Sequence, residues 1–328
     1  MKTDLPVQGG TLNRGKRGKH GRWSSAAWSL TTACGVALPG LMASENTPRK
    51  PYAEWANLPE PRQFVVTPWY NYTEYFNVWV GSQRQSVNAV VRGEDYGVDH
   101  NNGMISLQYG IAKRWAADLT VGYTSLASRS FTPDPSVVVK TSGLMDVPFG
   151  IRYQIWDEKE HPGTWIPTLT ARAGAILPGT YDEHTPMAPG NGSAAVEPSF
   201  MARKHFGWEG FGMYGDVLYR WMRTSGVDQY IVATGFLQQI KNWELALGYR
   251  HLQGLSGTDI VIDNGNWTYS PQVKEIANAI EGGFSYTTPK RQFHYSFLMR
   301  KTLDGRNTGS ALTFGLFVDF PIGGQRGQ

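Results

Sequence analysis

Apolar and polar residues alternate with a period of two along most of the chain, the spacing that places successive side chains on opposite faces of a β-strand. The last such segment, Ser310–Phe320, puts Leu312, Phe314, Leu316, Val318 and Phe320 on one face. Ala311, Thr313, Gly315, Phe317 and Asp319 fall on the other. Comparable segments span 69–80, 104–111, 116–128, 145–156, 165–177, 194–205, 211–222, 229–240, 243–253, 275–287, 292–302 and 310–320. In 145–156, Val147, Phe149, Ile151, Tyr153 and Ile155 alternate with Asp146, Pro148, Gly150, Arg152 and Gln154. The same pattern repeats in 211–222 and 243–253, with aromatic residues near the strand ends of the apolar face. The first segment is the poorest, because Glu74 interrupts its better apolar face. No amphipathic helix is predicted from Phe64 onward. The pattern predicts about twelve antiparallel strands, an even number as a closed barrel requires.

The connections alternate in length. Segments 112–115, 206–210, 241–242 and 288–291 are tight, whereas 81–103, 129–144, 178–193 and 254–274 are long and rich in Gly, Pro, Asn and Asp. Short periplasmic turns and long external loops produce that alternation. The fit is incomplete: 157–164 is longer than a tight turn, and 223–228 and 303–309 are short. Within 254–274, Asn264-Gly265 sits between β-prone arms and predicts a hairpin that extends two strands beyond the bilayer.

Alternation alone fits a soluble sandwich as well as a membrane barrel. The N-terminus separates them. Lys2, Arg14, Lys16, Arg17, Lys19 and Arg22 precede the one long helical apolar run, 26–43, which closes on small residues near Ala43. A basic leader, an apolar centre and small residues make a secretory signal peptide. The single cysteine, Cys34, lies inside it. The processed chain is then cysteine-free, which excludes disulfides, thiolate metal sites and a cysteine nucleophile. A formal charge of +4 and a mean hydropathy of −0.37 speak against nucleic acid as a partner and against several spanning helices. Segment 44–66 carries Pro48, Pro51, Pro59 and Pro61 and reads as a periplasmic linker rather than a folded plug. Segment 67–320 is the barrel and 321–328 a periplasmic tail. Thr313, Gly315, Val318 and Phe320 resemble the C-terminal signal by which outer-membrane barrels are recognised for insertion. The fold class is therefore an all-β, transmembrane, antiparallel up-and-down barrel in the outer membrane of a Gram-negative-type bacterium. Its expected partners are outer-membrane lipid, lipopolysaccharide and the barrel-assembly machinery.

Three pieces of sequence add a resemblance: G-L-M-D-V-P-F-G-I-R-Y (143–153), A-I-L-P-G-T-Y (175–181) and P-G-N-G (189–192). Their order resembles the outer-membrane channels named after the meta-pathway of phenol degradation. Met145 and the missing Thr between Pro178 and Gly179 depart from the usual wording. The resemblance implies a barrel that passes small hydrophobic or aromatic compounds.

In this register the lumen collects Asp118, Glu197, Asp216, Glu244, Glu281 and Asp319 together with Arg152, Arg172, Arg203, Arg220, Arg250 and Arg300. Such a set forms either paired networks or charge rings that select permeants by sign. In the second reading Arg220, Arg250 and Arg300 sit toward the outside, with Asp118, Glu244 and Asp319 toward the periplasm. His294-Tyr295-Ser296 has the spacing of a hydrolase pair, but both His294 and Ser296 point inward with no oxyanion hole in view. Asp99-His100-Asn101-Asn102, and Asp259 with Asp263, match no calcium-loop spacing, and turn chemistry accounts for them. His161, His184, His205 and His251 lack metal spacing. No cofactor is expected. The leading reading is a channel for passive uptake of small organic solutes. The alternatives are a non-conducting structural or adhesive barrel and a membrane-embedded hydrolase.

Overall fold

The last strand zips onto the first, and this closure defines the architecture. In the computed structural model, β16 (Gly309–Gly323) pairs antiparallel with β1 (Gln63–Val80), running from Gln63 opposite Gly323 through Trp69 opposite Phe317 to Val78 opposite Gly309. The structure describes residues 49–86, 98–128, 139–181, 188, 190–207, 210–223, 226–260, 262–263, 266–267, 273–290 and 293–324. The leader, Cys34, His184 and the end of the tail lie outside them.

Between the closing strands the wall runs through β3 (Val98–Ala112), β4 (Trp115–Ser128), β6 (Val147–Trp156), β7 (Thr168–Leu177), β8 (Ala195–His205) and β9 (Phe211–Met222). It continues through β10 (Gln229–Ile240), β11 (Trp243–Gly254), β14 (Ile276–Thr287) and β15 (His294–Arg306). The segment predicted as a strand over 145–156 is β6, and the stretch 129–144, read as a long loop, supplies a further strand just before it. A short β5 (Val139–Leu144) pairs with the upper half of β4, and β6 pairs with its lower half. Counting β5 and β6 as one interrupted strand, the sheet is a closed, antiparallel barrel of twelve strands. Two small pieces lie off the wall: β2 (Gln83–Ser86) folds back on β1, and β12 (Ile262–Asp263) pairs with β13 (Asn266–Trp267). That last pair flanks Asn264-Gly265 as the sequence predicts, but it is a separate two-stranded hairpin and not an extension of β11 and β14.

The two faces of each strand meet different surroundings. Leu119, Val121, Phe149, Ile151, Phe200, Val217, Phe236, Leu247 and Leu316 are exposed on the outside, each at 36% or more. A continuous apolar belt of this kind is unstable in water and suits lipid. Aromatic pairs rim it at the tight-turn end: Trp115 with Tyr153, Trp243 with Tyr286, and Phe293 with Phe320, at centroid separations of 4.7, 4.7 and 5.4 Å. Indole and phenol rings favour such membrane–water boundaries. Inward residues alternate with these and are mostly buried, including Thr67, Ser106, Asp118, Arg152, Arg172, Glu197 and Ser296.

The lumen is not left to water. In the segment expected to be a linker over 44–66, the described residues, from 49 on, enter from the tight-turn end. Its residues 63–66 already belong to β1, and Lys50–Ala56 are buried within the barrel. A short 3-10 turn, Glu54–Ala56, lies there. The Pro-rich composition that suggested a linker does not oppose docking, since buried aromatic contacts and ion pairs supply the hold.

Candidate functional site

The lumenal strap, residues 49–57, is held by charge at one end and aromatic packing at the other. Lys50 bridges Glu54 at 2.7 Å and Asp319 at 2.5 Å, and Asp319 also accepts from Thr67 at 2.7 Å. Arg49 reaches Asp216 at 3.0 Å and Glu197 at 3.2 Å and donates to Ser199 at 2.6 Å. Trp55, at 2% exposure, lies beneath two guanidinium groups, with Arg152 and Arg172 at 5.0 and 5.8 Å from its ring. Its carbonyl accepts from Arg152 at 2.8 Å, and that of Ala56 accepts from Thr170 at 2.6 Å. Tyr52, Ala53, Trp55 and Ala56 pack with Trp69, Met104, Met145, Met201, Tyr214 and Phe317 of the wall in one apolar cluster. Tyr52 and Ala53 both adopt left-handed backbone conformations, φ 57° and 51°. Each costs about 1–2 kcal/mol for a residue with a Cβ, so contacts rather than local preference hold the strap in place.

The inward charges named from sequence are brought together as pairs. Asp118 meets Arg152 at 3.3 Å and Arg172 at 2.8 Å, and Arg172 meets Glu197 at 3.0 Å. Glu197 also holds Arg220 at 2.9 Å. This chain of alternating charge links β4, β6, β7, β8 and β9, and Arg49 of the strap ties it to Asp216. Arg300 pairs with Glu281 at 3.1 Å. Arg203 pairs with Glu244, whose other oxygen meets His205 at 3.0 Å. Arg250 is buried on the inner face of β11. Arg152, Arg172, Arg203, Arg220 and Arg300 each have a carboxylate partner, so these charges neutralise one another in pairs. A carboxylate buried this deeply requires such partners, since an unpaired one costs several kcal/mol.

The mouth beside the tight turns opens into a cavity of about 640 Å³ lined by Asn57, Glu158, Arg203, His205, Glu244 and His294 among others. His205 lies between two carboxylates, Glu158 at 3.1 Å and Glu244 at 3.0 Å. Burial works to raise the Glu158 pKa, but hydrogen bonds from the His205 ring and main-chain N–H outweigh it and hold the carboxyl below the ordinary glutamate range. His294 and Ser296 do meet, at 3.0 Å, but the arrangement is not that of a hydrolase. Ser296 Oγ also donates to Glu54 at 2.8 Å, and Glu54 approaches the same ring nitrogen as the serine, at 3.3 Å. Thr287 occupies the other nitrogen at 2.9 Å. An acid that competes for the serine-facing nitrogen cannot orient a general base. Among the described residues, no group of three or more His, Cys, Asp or Glu side chains is placed to hold a metal ion.

The three sequence pieces at 143–153, 175–181 and 189–192 converge on one carboxylate at the break in the wall. Asp146 accepts from the main-chain N–H of Gly179 at 2.8 Å, the Tyr181 hydroxyl at 3.0 Å and the Asn191 N–H at 3.2 Å. The Gly192 N–H donates to the Tyr181 oxygen at 2.8 Å, and Thr180 N–H bonds the Leu144 carbonyl at 2.9 Å. A Cβ on Gly190 would sit 2.4 Å from Asp146 Oδ2 and 2.5 Å from the Tyr181 hydroxyl. The motif is thus a knot that ties the loop after β7 into the gap between β5 and β6.

At the closure, Thr313 bonds Thr73 at 2.9 Å and Phe320 faces outward against Phe293. Val318 lies opposite Tyr295, and a Cβ on Gly315 would meet Asn71 Oδ1 at 2.6 Å. Sequence reasoning missed Arg49, Lys50, Tyr52, Glu54 and Trp55. Two large aromatic residues inside a segment read as exposed linker were the available signal.

A family model described as "Putative MetA-pathway of phenol degradation" matches residues 71–320. Among solved structures, an outer membrane channel from Pseudomonas putida F1 is similar, with 14% identity, a TM-score of 0.59, and coverage of 82% of this chain and 98% of that one. Weaker likenesses include the transport unit of the autotransporter AIDA-I from Escherichia coli, with 8% identity, a TM-score of 0.47, and 84% and 92% coverage. The P. putida toluene transporter TodX matches at 9% identity and a TM-score of 0.40, with 82% and 92% coverage. At these identities the likeness concerns the fold. No curated protein sequence matches.

Proposed function

The chain belongs to the family described as the putative MetA-pathway of phenol degradation, whose match spans 71–320, and from that premise we propose that it is an outer-membrane conduit for small organic solutes whose lumen the strap of residues 49–57 gates. The observation that carries this reading is the nature of the obstruction. The wall is closed and its own inward charges are largely paired, while the lumen is filled by a separate stretch of chain that enters from one end. On its C-terminal side the stretch joins the wall through residues 58–62, so it can leave without opening the barrel. Passage is passive, driven by the solute's own gradient, and the strap takes the place of the periplasmic linker expected over 44–66.

The filled lumen also favours a second reading, a non-conducting structural barrel in which the strap is a permanent core. Solute influx into proteoliposomes separates the two. The full chain is compared with a variant in which Arg49, Lys50 and Trp55 are replaced together by Ser, each sample being checked for the heat-modifiable mobility of a folded barrel. The conduit reading expects small neutral organic solutes to enter much faster through the variant. Equal, background influx through both folded proteins would establish the structural barrel instead.

A further inference from the structure

At the end of the barrel that carries the long loops, outward side chains cross the seam where the wall closes. Beyond the bulge between Tyr75 and Val78, the register of β1 turns Trp79 outward, and Arg84 of β2 stands directly opposite it. The Arg84 guanidinium lies 5.6 Å from the centre of the Trp79 ring, and the indole is buried. Arg84 then reaches across β1 to β16, where it donates to Ser310 Oγ at 3.3 Å. From the other side, Lys301 of β15 donates to the main-chain carbonyl of the same Ser310 at 3.4 Å. Two cations from opposite sides of the seam thus converge on one residue. Among the described residues, neither is in an ion pair. Glu74 shares the Lys301 row, but Leu312 stands between them and the Glu74 carboxylate accepts from Tyr72. Asp304 lies exposed at the bulge of β15, opposite Asn278, and Asp259 of the adjoining loop is taken up by Arg306 and Asn307. Like charges held this close repel, and an anion supplied from outside the chain removes that cost.

We propose that Arg84 and Lys301 form a phosphate site for lipopolysaccharide, one phosphate of its lipid A lying between the two cations. The setting selects this anion. Lys301 is flanked in its row by Ile280 and Leu312, and Met299 and Leu316 are exposed on the same face toward the tight turns. A cation on a lipid-facing strand is tolerated near the membrane boundary and not at the midplane, so the pair marks where the apolar belt ends. Long loops face the outside, which puts the site at the headgroup level of the outer leaflet. A phosphate whose acyl chains lie on Ile280, Met299 and Leu316 satisfies both halves of the surface. A free anion gains nothing from the apolar half. Bound there, the phosphate ties β2, β1, β16 and β15 together across the seam. Lipid binding at this site does not depend on the conduit reading.

Native mass spectrometry of the full-length barrel in detergent, titrated with bisphosphorylated lipid A, tests the proposal. Folding of each protein is verified by heat-modifiable mobility. The double variant Arg84→Gln, Lys301→Gln should bind lipid A roughly thirtyfold more weakly than the unaltered chain, the combined effect of two cations at an anionic membrane surface. Arg223→Gln removes another cation at the loop end, one that lies 5.2 Å over the Trp221 ring, and should leave binding unchanged. The unaltered chain supplies an arm that needs no substitution and decides the matter should the double variant not fold. Lipid A stripped of both phosphates should bind it as weakly as intact lipid A binds the double variant, and excess inorganic phosphate should not displace the intact lipid. Equal binding of intact and dephosphorylated lipid A, or equal weakening by Arg223→Gln, would overturn the site. Displacement by inorganic phosphate, or equal affinity for phosphatidylglycerol, would overturn lipopolysaccharide as its occupant.

Discussion

Replacing Lys50 with Met removes the one cation that separates Glu54 from Asp319 and keeps the length of the side chain. Lys50 Nζ lies 2.7 Å from one carboxylate and 2.5 Å from the other, so the two acceptor oxygens are no more than about 5.2 Å apart. Two unit charges at roughly 5 Å repel by about 3 kcal/mol at an effective dielectric of about 20, the value suited to partly hydrated interiors. His294 beside Glu54 and Thr67 beside Asp319 remain and soften the loss. Destabilisation of the docked strap by about 3 kcal/mol raises the population of undocked strap roughly a hundredfold. Cleavage after Arg49 by trypsin reads that population when docking is fast relative to cleavage. Lys50→Met should be cut roughly a hundred times faster than the unaltered barrel, and adding Asp319→Asn should recover most of the protection. A folded Lys50→Met barrel cut no faster than its parent would refute the argument that charge holds the strap.

Three further outcomes follow from the wall. Gly190→Ala should release the loop after β7, because its Cβ would contact Asp146 Oδ2 at 2.4 Å; proteolysis within 178–194 of an otherwise folded barrel is the readout, and unchanged protection would remove the knot from the account. Protection from hydrogen exchange across 157–167, taken relative to the intrinsic rate at each pH, should fall with acid. The Glu158 carboxyl is lowered in the folded chain, so its contribution is complete above the ordinary value near 4.5 and is lost as pH falls through the lower, folded value; in Glu158→Gln that acid response should be absent. Phe320→Ala should reduce the folded barrel recovered from outer membranes, if Thr313, Gly315, Val318 and Phe320 act as an insertion signal; normal recovery would leave Phe320 only its packing against Phe293.

The wall was legible because a strand's two faces have opposite chemistry at every step. Segments 211–222 and 229–240 coincide with β9 and β10, and 310–320 falls inside β16. The break at Asp146 was not legible. Asp146 sits in correct inward register, and only the three-dimensional return of Gly179, Tyr181 and Asn191 shows that it ends a ladder. The inward charges were read as a set, and their pairing depends on how far each strand is staggered against the next. Arg152 and Arg172 stand directly opposite one another, which would be repulsive if Asp118 did not reach both. The strap escaped because its signal is short and mixed. One 3-10 turn gives no periodicity, and Lys50 and Glu54 resemble solvated charge until Asp319 is brought beside them. The prolines led to a linker rather than a plug, and that step ignored Tyr52 and Trp55.

The most direct test of a gated lumen is single-channel conductance of the barrel lacking residues 49–57, measured beside the full chain in planar bilayers. The account predicts discrete, stable conductance steps from the shortened barrel and small or rare openings from the full chain. Identical conductance from two equally folded proteins would contradict it, because the strap would then neither close the lumen nor leave it.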